Sequence, residues 1–173
     1  MIGYGHQYID DSDIEAVVNV LKSDYLTQGP SVTAFEKKIC EITGAKYCVS
    51  VSNATAGLHI AVAALELGEG TEGITTPNTF LASSNCMVYN KVKPVFADID
   101  SKTYNIDPKE IQKHISDKTK VLIPVHFAGL PCDMEKINTI AKKHNLHIIE
   151  EAAHAIGSQY ADGSYVGNCK YSD

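Results

Sequence analysis

The chain has 173 residues, 44% of them apolar and 21% charged, which is enough for a domain with its own core and ordinary for a globular protein. A net charge of −6 with no long basic run argues against nucleic acid as the main partner. No apolar stretch reaches membrane-spanning length and the opening residues are no signal peptide, so a cytoplasmic protein with no membrane partner is expected. The five cysteines (Cys40, Cys48, Cys86, Cys132, Cys169) are odd in number and lack a CxxC pair. Free buried thiols in a reducing compartment are expected, rather than a zinc site.

The first element is a helix over 9–23. Its start is rich in N-cap residues (Asp10, Asp11, Ser12, Asp13), and Ile14, Val17, Val18, Val20 and Leu21 follow helical spacing. Gly29-Pro30 breaks the chain, and a second helix runs from about Ser31 to a cap at Thr43-Gly44. Lys46–Val51 is β-rich and predicts the first strand. It stops at Ser52-Asn53-Ala54-Thr55-Ala56-Gly57, and a helix with Leu58, Ile60, Ala61 and Leu65 follows. A helix N-terminus behind a turn of small and hydroxyl residues offers free N–H groups and a favourable dipole to a phosphate. A plain βα turn with a polar cap explains the same residues.

Gly73–Thr76 predicts a short strand that ends at Pro77. Phe80 comes just past it, where an aromatic face meets either a planar ligand or the core. A helix through Asn85, Met87 and Val88, a strand over Lys93–Ala97 and a helix from Asp107-Pro108 to Ile115 follow. Lys120–Val125 reads as a buried strand, Gly129-Leu130-Pro131 as a turn, and Met134 to Ala141 as a helix. Leu146–Ile149 is the last apolar run, and it delivers Glu150 and Glu151 at its end. This alternation predicts an α/β fold with a mostly parallel sheet. Ligand groups should collect at the strand C-terminal ends: Ala54-Thr55-Ala56, Pro77 to Phe80, and Glu150 to His154. Buried carboxylates there need a partner, such as a cationic ligand group, although two solvated loop acids fit as well. Glu151 and His154 also stand at the i, i+3 spacing of di-iron helical bundles, but no matching motif is evident on another helix.

Four ordered segments carry a resemblance: the opening YGHQYID…EITGAKY, SNATAGLHIA, ITTPNTFLASSNCMVYNKVKPVFADID and IEEAAHAIGSQY. Together they resemble the fold-type-I, pyridoxal-phosphate-dependent sugar aminotransferases of the DegT/DnrJ/EryC1/StrS family, most of all its pseudaminic-acid-pathway branch. The resemblance implies a fold-type-I large domain, with residues 1–32 as an N-terminal helical segment and loop and 33–173 as part of the cofactor-binding domain. It implies pyridoxal 5'-phosphate as cofactor, a nucleotide-linked 4-keto-6-deoxy sugar and glutamate as substrates, and a homodimer in the complete protein. Thr55 and Ala56 would hold the cofactor phosphate, Phe80 would stack on its ring, Glu151 would pair with the ring nitrogen, and His154 would contact the phenolic-oxygen side.

Two departures from the family pattern stand out. Glu151 occupies a position where the family usually has aspartate, which puts the carboxylate one bond, roughly 1.5 Å, further out. No Schiff-base lysine is identifiable, and Lys170 does not match one. The expectation is therefore the first part of such an enzyme, ending before the last strands and the small domain and inactive by itself. Two alternatives share the resemblance: a pyridoxal-phosphate sugar dehydratase, or a non-catalytic truncated paralogue.

Overall fold

The structure, a computed structural model, describes residues 6–173, so the first five residues of the expected N-terminal segment lie outside it. Helix α1 spans Asp11–Leu21. Asp10 caps it, accepting from the backbone N–H groups of Ser12 and Asp13, while the Asp13 side chain accepts from the Asp10 N–H. This reciprocal box satisfies orphan donors of the first turn. None of the α1 residues is buried, and Ile14, Val17 and Leu21 face outward. Helix α2 spans Pro30–Thr43 and ends at Gly44, whose φ of +83° is the left-handed cap that glycine adopts without strain.

Residues 46–51, expected as the first strand, form none. Tyr47 and Val49 are exposed, and the segment is held to α2 where Glu36 Oε1 accepts from both the N–H and the hydroxyl of Ser50, at 2.8 and 2.9 Å. The physical reason is pairing. A strand exists through its ladder, and residues 46–51 pair with none of the four strands of the sheet.

Helix α3 (Ala54–Ala64) leads to β1 (Glu72–Thr75), α4 (Ala82–Tyr89), β2 (Lys93–Phe96), α5 (Pro108–His114), β3 (Thr119–Ile123), α6 (Met134–His144) and β4 (His147–Ile148). The four strands form one parallel sheet in the order β2-β1-β3-β4. Alternation along the strands divides the core into two layers. Val121 and Ile123 pack with Leu58, Val62, Cys86 and Met87 of α3 and α4 on one face. Leu122 and Ile74 pack with Ile111, Ile137 and Ile140 of α5 and α6 on the other. Full burial of each such side chain is worth roughly 1.5–3 kcal/mol.

The cysteines are mixed, not uniformly buried: Cys86 and Cys132 are buried, Cys40 and Cys48 are part-exposed, and Cys169 is exposed. No helix of the described residues is long and apolar enough to cross a membrane.

Candidate functional site

The C-terminal ends of β1, β3 and β4 and the start of α3 open onto one cavity of about 290 Å³, lined by Thr55, Phe80, Ser83, His126, Glu151 and His154 among others. Four of the five residues singled out in the sequence thus meet in one place. Ala56 does not line it, and its N–H donates to Asn53 Oδ1 at 2.9 Å, the N-cap bond of α3. The Gly57 N–H is taken by the Asn53 carbonyl. Among the described residues this leaves the Ala54 and Thr55 amides of the first turn without a partner, at the end of the helix that favours an anion. A larger cavity, about 920 Å³, lies elsewhere, beside α5 and α6, and holds none of the five. Size alone is a poor guide to chemistry here, because strand ends and helix N-termini supply the directed polar groups.

Phe80 is 75% exposed, so it is not the core phenylalanine that the sequence also allowed. Its loop is fixed on both sides. Asn78 Nδ2 donates to the Tyr104 carbonyl at 3.1 Å, and the Thr79 and Ser83 hydroxyls are 2.7 Å apart. The ring is therefore presented to the cavity on a braced loop.

Glu150 and Glu151 are adjacent but have opposite surroundings. Glu150 is buried. Its Oε2 accepts from His126 Nε2 at 2.7 Å and from the Tyr160 hydroxyl at 2.6 Å, and its Oε1 accepts from the Ser172 hydroxyl at 2.6 Å. Burial pushes the carboxyl up, but hydrogen bonds from His126, Ser172 and Tyr160 outweigh it and hold Glu150 below the usual carboxylate value. Burial and the Glu150 charge keep the proton on the Tyr160 phenol well beyond its ordinary range, and push the Cys132 thiol up to about 12. Glu151 instead borders the cavity. Its Oε1 accepts from the Ala153 N–H at 2.8 Å, so the longer side chain is folded back on its own loop. Its other oxygen has no partner among the described residues.

His126, Tyr160 and Ser172 were not anticipated. For His126 a signal existed: it follows the apolar run Val121–Val125, at a strand C-terminal end that the same rule covers but that was not singled out. Tyr160 and Ser172 reach Glu150 only through the turns after β4, which no local pattern announces.

The sequence profile described as the DegT/DnrJ/EryC1/StrS aminotransferase family matches residues 7–172. Among curated proteins the chain is similar to an uncharacterized protein of Methanocaldococcus jannaschii (45% identical; 88% of this chain, 39% of that one). It is also similar to the spore coat polysaccharide biosynthesis protein SpsC of Bacillus subtilis (41% identical; 91% and 40%). Among solved structures it is similar to the aminotransferase from Psychrobacter cryohalolentis (TM-score 0.89, 40% identical; 92% and 41%). Helicobacter pylori PseC, an aminotransferase of pseudaminic acid biosynthesis, gives a TM-score of 0.90 at 34% identity (95% and 44%). Bacillus subtilis NtdA with bound cofactor PMP gives 0.85 at 32% (95% and 37%). The chain spans about two-fifths of the length of the curated relatives it matches. The parallel sheet, the strand-end cavity and the profile match across nearly all of its residues agree, and the chain belongs to the DegT/DnrJ/EryC1/StrS aminotransferase family.

Proposed function

We propose that the protein carrying this chain is a pyridoxal-phosphate-dependent aminotransferase that converts a nucleotide-linked 4-keto-6-deoxy sugar to the amino sugar, with glutamate as donor, in surface-sugar biosynthesis. The observation that carries the reading is the convergence of Thr55, Phe80, Glu151 and His154 on one cavity at the strand ends. The relatives named for polysaccharide and pseudaminic acid biosynthesis support the sugar class. In this reading residues 1–32 are an N-terminal helical segment and loop, 33–173 are part of the cofactor-binding domain, and the complete protein is cytoplasmic and homodimeric.

The residues present fit the cofactor. The unpartnered Ala54 and Thr55 amides suit a phosphate, with Ala56 contributing through the helix turn and not through its own N–H. Phe80 offers an exposed ring face to a planar heterocycle. The free carboxylate oxygen of Glu151 suits a protonated ring nitrogen and would hold the proton there, while His154 lies at the same cavity for the phenolic oxygen. When bound, pyridoxal phosphate supplies the electron sink that transamination requires. The chain's part is to fix the plane of the ring and the charge at its nitrogen.

Titration with pyridoxal phosphate, followed by absorbance, tests the site. Phe80→Ala and Glu151→Gln should each weaken binding by about tenfold. Unchanged affinity in both variants overturns the assignment. The reaction is tested in the complete protein with isotope-labelled glutamate and a UDP-linked 4-keto-6-deoxy sugar. Absence of label in the sugar overturns it.

A further inference from the structure

The cavity stands on a buried network that the proposed function does not use. Glu150 gathers donors from three separate parts of the chain: His126 just beyond β3, Tyr160 after β4, and Ser172 further on. The His126 ring is fully enclosed, and its Nδ1 accepts the Cys132 N–H at 3.1 Å. The ring proton is therefore on Nε2 and is donated to Glu150. With both nitrogens engaged, His126 has no proton to offer a ligand, and its contribution is geometric.

Two walls of the cavity depend on this pair. First, the strand-end backbones are locked together, with the His126 N–H donating to the Glu151 carbonyl at 3.0 Å and the Glu151 N–H to the Pro124 carbonyl at 2.9 Å. Glu150 is anchored beneath the sheet end, so alternation turns Glu151 the other way, toward the cavity. Second, the main chain of His126 enters the tight turn Phe127–Gly129, whose Phe127 and Ala128 line the cavity. A buried, hydrogen-bonded carboxylate is no better a space-filler than apolar side chains of equal volume. What the carboxylate adds is direction, since it orients three donors at once.

We infer that Glu150 is a positioning residue of this site: acting through the His126 ring, it sets Glu151 and the Phe127–Gly129 wall for the bound cofactor, an inference that rests on the pyridoxal phosphate reading. The two bonds of His126 can be separated by substitution. His126→Gln keeps an N–H at the Nε2 position for Glu150 and loses the acceptor for Cys132. His126→Asn keeps the acceptor and loses the bond to Glu150. A merely structural histidine would be replaced equally well, or equally badly, by both.

The experiment measures amide hydrogen exchange at Phe127 and Glu151 in the unliganded protein and the dissociation constant for pyridoxal phosphate. Exchange at both amides should be about tenfold faster in His126→Asn than in His126→Gln, and cofactor affinity should fall in the same order. Glu150→Gln, which can accept from His126 and Tyr160 with its carbonyl oxygen and donate to Ser172, should stay near wild type, while Glu150→Ala should resemble His126→Asn. Equal exchange and equal affinity in the two His126 variants overturn the inference. If Glu150→Ala does not fold, the His126 pair decides. If the wild-type protein binds no pyridoxal phosphate, the proposed function falls, and the exchange measurement alone then supports or overturns the positioning role.

Discussion

Gly129 sits directly against the main chain of His154: a Cβ at position 129 would lie 2.8 Å from the His154 carbonyl oxygen. The Ser158 hydroxyl closes the same contact, donating to the Gly129 carbonyl at 2.8 Å. The turn after β3 and the turn after β4 are thus interlocked, and His154 is held at the cavity by a residue that lacks a side chain.

Gly129→Ala should therefore be more damaging than its backbone angle alone implies. Gly129 and Gly163 have similar φ values, +86° and +81°, but a Cβ at Gly163 meets nothing within 4 Å. Gly163→Ala should lose only the left-handed penalty, about 1–2 kcal/mol. Gly129→Ala should lose about 1–3 kcal/mol more through overpacking and should weaken pyridoxal phosphate binding. Urea denaturation of both variants checks this, and equal losses would show that the two turns yield freely.

Glu150 should give the protein an acid limit. Its carboxyl is held below the usual value of 4.5 in the folded state, so its contribution to stability is fully present above that value and is lost as pH falls through the lower, folded value. Unfolding free energy should drop as pH falls below the usual carboxylate value, and less steeply in Glu150→Gln, which has no charge to lose. Denaturation curves at several pH values measure the difference. Parallel losses in the two proteins would remove Glu150 from the acid response.

The segment 46–51 should exchange its amides rapidly in the isolated chain, with one exception. Ser50 donates its N–H to Glu36 at 2.8 Å, whereas Tyr47 and Val49 are exposed and belong to no ladder. The Ser50 amide should be slowed relative to its neighbours, and Glu36→Gln should weaken that protection, because a hydrogen bond to a charged acceptor is worth about 1.5–3 kcal/mol and one to a neutral acceptor less. Together with the outward-facing Ile14, Val17 and Leu21, these apolar residues should make the isolated chain self-associate. Uniformly slow exchange in a monodisperse monomer would contradict both statements.

Pyridoxal phosphate should bind this chain without a covalent bond. No lysine lines the cavity among the described residues. Borohydride reduction and peptide mapping should therefore label no single lysine, and the 173-residue chain should show no turnover. One stoichiometrically modified lysine would show that a side chain reaches the site from outside its present lining.

Most of the architecture was legible locally. Asp10 and Gly44 mark helix ends because capping is a short-range affair of a few backbone groups. The apolar runs near residues 74, 95, 121 and 147 became the four strands, and their alternation with helices required the parallel arrangement. The strand-end rule then marked Phe80, Glu151 and His154 for one neighbourhood, whereas Thr55 follows a segment that forms no strand and reaches the cavity from the start of α3.

Tertiary structure alone decided the rest. Lys46–Val51 has the composition of a strand, yet composition cannot supply the neighbour that makes one. Glu150 and Glu151 are chemically identical and adjacent. Alternation says that they point apart, but only the packing of the sheet on α5 and α6 determines which of them is buried and which faces the cavity. The donors that satisfy the Glu150 carboxylate come from residues 126, 160 and 172, brought together by the sheet crossover and two later turns. Backbone periodicity is set by neighbours in sequence, whereas a buried charge is satisfied by neighbours in space.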